Sequence, residues 1–497
     1  MPETAAPHPR RWTALVFIAL AQLMVVLDGT IVNIALPSAQ HDLGISDGNR
    51  QWVITAYTLA FGGLLLLGGR IADIAGRKRV FITGLIGFAG ASALGGAALN
   101  TGMLLGARAL QGVFGALLAP AALSLLAVTF TEAKERAKAF GVFGAIAGGG
   151  GALGLILGGV LTEYLNWRWA LYVNVPIAAV AAFGAAAVVH EPAGSRNRNR
   201  LDIPGVVLAT LGLVTLVYGF TRVESDGWTA PAPLGLFATA VVLLAAFVAV
   251  EARVKAPLLP LRVVTDRNRA GVYLSLGLAI IGMFGLFLFL TYYLQVVKGY
   301  SPVVTGLAFL PMVAGMITGS TQIGARLMNR VPPRLLMGPG FLLAALGMLL
   351  LTRLEVGSPY AGLILPAELM LGLGMGTSFM PAMSLATYGV QPRDAGVASA
   401  MVNTSQQVGG SIGTALLNTV AASATAHWLA SHGGDLRLVN QAAVHGYATA
   451  IGWAAGILAT ASAIAFTFIT TGRQDGGAAV ASGKGAADEV PVPVVAH

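Results

Sequence analysis

Three charged side chains stand where charge is expensive. Asp28 lies about two-thirds of the way along the apolar run 13–36, Arg108 sits inside 102–128, and Glu368 falls near the middle of 359–384. An isolated charge at the centre of hydrocarbon costs roughly 2.5–3.5 kcal/mol on insertion scales, so each needs a partner, water or a task. Desolvation favours the neutral form of a carboxyl, so Asp28, where water reaches it, is suited to carrying a proton or holding a cation from a cavity. It is equally suited to tying down a helix end or Asn33. Arginine stays charged, so Arg108 requires a carboxylate, a carbonyl or cavity water, and a structural ion pair with Asp28 would meet that need. Glu368 facing a central cavity would attract a cationic, lipophilic compound; tied to a neighbouring helix, it would be structural.

Other chemistries find little support. The chain has no cysteine, which excludes disulfides, thiolate metal sites and cysteine nucleophiles. The histidines, at 8, 41, 190, 427, 432, 445 and 497, lie near ends or links, so neither a metal site nor an enzyme is expected. No Gly-x4-Gly-Lys-Ser/Thr motif is present, so direct drive by ATP is not expected either.

The elements that must position these residues are membrane-spanning helices. Only 10% of the 497 residues are charged, 56% are hydrophobic and the mean hydropathy is +0.76. Water-soluble domains carry roughly 25% charged residues. Runs long enough to cross ~30 Å of hydrocarbon occur at 13–36, 51–69, 80–99, 102–128, 139–162, 169–189, 203–221, 232–251, 270–295, 302–325, 334–352, 359–384, 395–425 and 446–471. The expected fold is therefore all-α and polytopic, with fourteen spans. The first run is too long for the apolar region of a secretory signal, which is about 7–15 residues, and stays as a span.

Charge placement fixes parity and orientation. Of 30 Lys and Arg, 23 fall on the side holding both termini, six (Arg50, Arg168, Arg222, Lys298, Arg353 and Arg437) fall on the other, and Arg108 is inside a span. Positive-inside bias places the termini in the cytoplasm and the chain in the cytoplasmic membrane. The net charge of +9 is thus a topology signal, and no nucleic-acid partner is expected. Glu163, Trp167, Arg168 and Trp169 read as an outer aromatic belt with a local ion pair.

An internal repeat divides the chain. Ser46 to Gly69 and Ser301 to Gly324 are both 23 residues, bracketing the second and tenth spans. Arg108-x3-Gly112 followed by Pro120-Ala121-Ala122-Leu123-Ser124 is matched by Glu368-x3-Gly372 followed by Pro381-Ala382-Met383-Ser384. The expected domains are a six-helix bundle over 1–190, a linker with two inserted helices over 191–264, a second six-helix bundle over 265–471, and a disordered cytoplasmic tail over 472–497. Two similar halves around a cavity suit alternating access. In the Gly69–Arg79 loop, Asp73 sits among basic residues, with Gly69 and Gly76 permitting tight turns. Asp73 accepting from an Arg or a helix N-terminus would form a latch that breaks when the halves rock. Its repeat copy carries Met328, so a charged latch there would be weaker.

The sequence resembles the fourteen-span drug:proton antiporters of the major facilitator superfamily. The resemblance rests on Leu27-Asp28-Gly29-Thr30-Ile31-Val32-Asn33-Ile34-Ala35-Leu36-Pro37, Gly69-Arg70-Ile71-Ala72-Asp73-Ile74-Ala75-Gly76-Arg77-Lys78-Arg79 and Arg108-Ala109-Leu110-Gln111-Gly112. It extends to Trp167-Arg168-Trp169, Asn174-Val175-Pro176, Leu201-Asp202-Ile203-Pro204-Gly205, Tyr293-Leu294-Gln295 with Gly299-Tyr300-Ser301-Pro302, and Thr404-Ser405-Gln406-Gln407-Val408-Gly409-Gly410. The resemblance implies export of small lipophilic compounds, cationic ones foremost, in exchange for protons, with no cofactor because the proton gradient supplies the energy. A symporter, or an exporter of one specific metabolite, shares the same fold. The resemblance also associates Arg108 with proton transfer through a nearby acid. Asp28, Asn33, Arg108 and Gln111 are the candidates for coupling or the cavity, joined by Glu368 on the strength of its place in an apolar span and not of the resemblance, with Gln295 and Gln406 as the second half's candidates. Gly69, Asp73, Gly76 and Arg77 are the implied latch. Gly150, Gly154, Gly158 and Gly159 fall in a stretch resembling the antiporter motif, although Leu155 stands where a proline is usual.

Overall fold

The computed structural model describes residues 10–130, 132–189, 202–254, 257–328, 330–388, 390 and 395–472. The Arg196–Arg200 stretch of the expected linker and nearly all of the expected tail lie outside the described residues. The long helices are α1 Arg11–Leu43, α2 Trp52–Ala75, α3 Arg77–Gly96, α4 Thr101–Thr129 and α5 Ala133–Tyr164. They continue as α6 Trp169–Val188, α7 Ile203–Asp226, α8 Pro231–Glu251, α9 Arg267–Val297 and α10 Pro302–Leu327. The last are α11 Arg334–Leu351, α12 Tyr360–Ala386, α13 Ala395–Ser431 and α14 Val439–Phe468.

Among the described residues, twelve helices are long and apolar enough to cross a membrane. The two expected spans outside that count are α5 and α13. α5 is 32 residues long, and among the described residues it includes the apolar stretch Gly150–Tyr164. α13 is a continuous helix of 37 residues interrupted chemically by Asn403, Gln406, Gln407 and Asn418.

Polar residues mark helix starts where the first N–H groups lack partners. Asn100 accepts from Met103 N at 2.9 Å, Asp202 from Gly205 N at 3.0 Å and Asp266 from Arg269 N at 3.0 Å. Outward faces stay apolar, as contact with lipid requires: Ile86, Phe183, Val241 and Leu349 are all exposed.

α1 to α6 pack together, and so do α9 to α14, while α7 and α8 form a hairpin whose α7 lies against α2 and α13. The two groups meet through α2 on α13 and α5 on α10. The repeat seen in the sequence survives in the packing. A Cβ on Gly112 would collide with the Tyr57 carbonyl, and one on Gly372 with the Met312 carbonyl. Tyr57 lies eleven residues after Ser46 and Met312 eleven after Ser301. Small residues let these helices approach backbone to backbone where lipid supplies no hydrophobic drive. Each crossing sets the residue one turn earlier, Arg108 or Glu368, at the same place in its half.

Candidate functional site

Asp28 and Arg108 meet inside the first helical group. Arg108 Nη1 donates to Asp28 Oδ2 at 2.6 Å, with the two side chains 1% and 0% exposed. Gln111 Nε2 and Asn174 Nδ2 donate to Asp28 Oδ1 at 2.9 and 2.8 Å. Arg108 also reaches the Gln111 carbonyl oxygen at 2.8 Å and, through Nε, the Val53 carbonyl at 2.9 Å. Its guanidinium lies 4.4 Å from the centre of the Tyr57 ring. Ser92 Oγ closes the network, accepting from Gln111 at 2.7 Å and from Asn174 at 3.4 Å. Five helices, α1, α2, α3, α4 and α6, thus contribute to one buried charge pair, with fixed donors on every side of the carboxylate.

Asp28 lies wholly within this network. Its carboxylate points into the first helical group and not into a space between the halves. It is bonded to Arg108 and not to Asn33, whose amide donates to the Gly29 carbonyl of its own helix at 2.8 Å. An apolar crevice lined by Val32, Leu36, Val53, Leu104, Trp167 and Leu171 ends at Arg108. Tyr57, Ser92 and Asn174 complete the network without having been singled out for it. Asn174 stands in the Asn-Val-Pro piece of the family-like pattern, the one signal that could have drawn attention to it.

Glu368 is not part of this cluster. It lies in the first third of α12, not near its middle, and is fully buried. Tyr360, on the same helix, places its hydroxyl 3.4 Å from Glu368 Oε2 while donating to the Ala308 carbonyl of α10 at 2.6 Å. Glu368 Oε1 has no hydrogen-bond partner. A buried acid with an open oxygen at the repeat position of Arg108 leaves the two halves chemically unlike: paired charge in one, a lone carboxyl in the other.

The glycines of α5 are contact points. Cβ atoms on Gly150, Gly154 and Gly158 would press on Leu23, Thr30 and Ile31 of α1, and one on Gly159 would come within 2.7 Å of the Pro302 carbonyl of α10. At the loop between α2 and α3, Gly76 has φ 102°, a conformation that favours glycine. Arg77 reaches Asp73 at 3.2 Å, within the turn, whereas Gly69 only touches Pro120.

The halves are joined at the end where the α1–α2 link lies. Gln295 donates to the Ile34 carbonyl at 3.0 Å and Tyr292 to Gln40. Arg50 stacks 4.0 Å over Tyr292, Thr55 meets Thr414 at 2.7 Å, and Ser411 donates to Thr58 at 2.8 Å. Gln406 is half-buried on α13. The belt's ion pair is made differently from expectation: Arg168 and Trp167 both bond Asp42, at 3.0 and 2.9 Å, while Glu163 accepts from Val303 N at 2.9 Å.

Comparison with known proteins agrees with this architecture. The chain is 56% identical over 472 residues to the puromycin resistance protein pur8 of Streptomyces alboniger, covering 94% of this chain and 93% of that one. It is 42% identical over 431 residues to the cephamycin export protein CmcT of Amycolatopsis lactamdurans, with 85% and 88% covered. It is 34% identical to the tetracenomycin C resistance and export protein of Streptomyces glaucescens, with 83% and 76% covered. In fold it is similar to the POT family transporter PepTSo, at TM-score 0.66 and 16% identity, covering 92% of this chain and 98% of that one. It is equally similar to a bacterial homologue of the lysosomal transporter Spinster in an inward-facing conformation, at TM-score 0.65 and 16% identity, with 92% and 97% covered. Residues 18–414 match the family described as the Major Facilitator Superfamily, and the chain belongs to that family of membrane transporters.

Proposed function

We propose that this protein exports a small lipophilic antibiotic-like compound across the cytoplasmic membrane by exchanging it for protons. On this reading the chain has fourteen spans in a six, two and six arrangement, with α5 and α13 as the remaining two, and both termini are cytoplasmic. The gradient is the energy source and no cofactor takes part. The relatives named for puromycin, cephamycin and tetracenomycin C support efflux.

What carries proton coupling is the Asp28–Arg108 pair. A carboxylate surrounded by Arg108, Gln111 and Asn174 is held charged by donors that a small helix movement would misalign. Misalignment removes the support for the charge, and a buried carboxyl without support takes up a proton. Gln111 and Asn174, bridged by Ser92, set how far α1 can shift against α3, α4 and α6 before that happens. Glu368 and the polar residues Gln295 and Gln406 are the second half's contribution to binding, Glu368 favouring cations. Contacts at the α1–α2 end hold the halves together on the side that this reading makes extracellular.

Relatives named for single compounds favour a narrower second reading, an exporter dedicated to one metabolite, over a broad multidrug pump. Both are tested with inverted vesicles holding a pH-sensitive dye. Addition of a transported compound is expected to collapse an imposed gradient, and Asp28→Asn to abolish the collapse. A panel in which several unrelated compounds act supports breadth; no response to any, with Asp28→Asn unaltered in drug resistance, overturns the antiport reading.

A further inference from the structure

A second buried acid site lies at the foot of the α7–α8 hairpin. Asp202 caps α7 and Glu251 ends α8, and the two are 4% and 3% exposed. One oxygen of each is already engaged: Asp202 Oδ1 accepts from Gly205 N at 3.0 Å and Glu251 Oε2 from Leu259 N at 3.0 Å. The other oxygens, Asp202 Oδ2 and Glu251 Oε1, have no donor among the described residues. Both lie over Gly205, where a Cβ would come within 2.6 and 2.7 Å of them. The two oxygens thus converge on one point, the position that a Gly205 Cβ would take.

Two carboxylate oxygens that face each other in a dry site repel, and neither can donate. A single proton between them turns repulsion into an O–H···O bond and satisfies both oxygens. Among the described residues, the charged groups facing Glu251 are Asp202 from the start of α7 and Arg70 from the end of α2. Arg70 makes no ion pair with either acid among the described residues, and its guanidinium donates to the Pro257 carbonyl at 2.7 Å. Glycine at 205 keeps open the space in which the two oxygens meet. We propose that Asp202 and Glu251 form a proton-binding site, one proton shared between them, that fastens the base of the α7–α8 hairpin beside the end of α2. The proton comes from water on that side of the membrane. Its loss leaves two negative charges facing each other beneath a single arginine and loosens the hairpin from the segment through Leu259. This site is separate from Asp28, and its test needs no transport substrate.

The test uses the purified full-length chain in lipid nanodiscs, with Asp202→Asn, Glu251→Gln and the double variant. Infrared difference spectra at pH 7 are expected to show that each single variant removes one carboxylic-acid carbonyl band, the same band, and that the double variant removes no more than either alone. Such a result is the signature of one proton shared by two groups. Because the folded site holds a proton that separate acids of the unfolded chain release at lower pH, the stability it contributes is present at low pH and lost as pH rises through its titration. The unfolding temperature of the unaltered chain is therefore expected to fall with rising pH more steeply than that of Glu251→Gln. An unchanged carbonyl band in both single variants overturns the proposal, as does a double variant that removes two bands. So does failure of both single variants to fold, because an amide donates where the shared proton did.

Discussion

Asp28 and Arg108, 80 residues apart in the chain, lie 2.6 Å from each other at the centre of the first helical group, with Gln111 bonded to both. Breaking a buried pair by removing one member costs ~3–5 kcal/mol, since the other charge is left uncompensated. Arg108→Ala and Asp28→Asn are therefore both expected to lower the yield and thermal midpoint of the folded protein, since each leaves the other buried charge without its partner. Both are expected to abolish coupled transport. Thermal unfolding of the purified variants, beside vesicle transport, checks both losses; an unchanged thermal midpoint in either variant would contradict the pairing.

Asn174 separates positioning from folding. It donates to Asp28 Oδ1, while its own carbonyl oxygen is buried without a partner. Asn174→Ala removes one of three donors and is expected to cost ~1–3 kcal/mol. It is also expected to slow coupled transport, because the Asp28 carboxylate is then held by two donors where it had three. A vesicle transport assay reads the loss beside thermal unfolding, and unchanged transport with lowered stability would reduce Asn174 to a purely structural group.

The helix crossings predict where a single methyl group is not tolerated. Gly112→Ala and Gly372→Ala press a Cβ into the Tyr57 and Met312 carbonyls, whereas Gly106, on the same helix as Gly112, has open space around it. Overpacking of this kind costs ~1–3 kcal/mol, so the first two are expected to lower the thermal midpoint and Gly106→Ala to leave it within error. Size-exclusion profiles and melting curves of the three variants suffice.

The seal between halves is open to direct trapping because the chain has no native cysteine to interfere. Thr55 and Thr414 have their hydroxyls 2.7 Å apart on α2 and α13. The double substitution Thr55→Cys with Thr414→Cys is expected to cross-link under mild oxidant and to stop transport, with recovery on reduction. Arg50→Ala, which removes the cation stacked on Tyr292, is expected to slow that cross-linking by unfastening the same end.

Charge in an apolar run is conspicuous, so Asp28, Arg108 and Glu368 were legible in the sequence as residues needing an explanation, and loop charges and the 23-residue repeat made the transporter architecture legible too. Their partners were not. Ser92, Tyr57 and Asn174 are uncharged, common in spans and far apart along the chain, and no local pattern distinguishes a serine that bridges two amides from one that faces its own helix. The same limit applies at the hairpin, where Asp202 reads as a helix cap and Glu251 as a helix end, and where only folding brings their unpartnered oxygens over Gly205.

The amino-acid sequence by itself determined that this chain spans a membrane repeatedly, because 10% charge cannot cover a soluble surface, and that its halves are related, because both carry the same spacing of small residues. Tertiary structure alone decided which way Asp28 faces. Rotation of α1 against its neighbours determines whether a carboxylate meets a cavity or an arginine, and that rotation is set by the packing of the Gly154 and Gly158 backbone of α5 on Thr30 and Ile31.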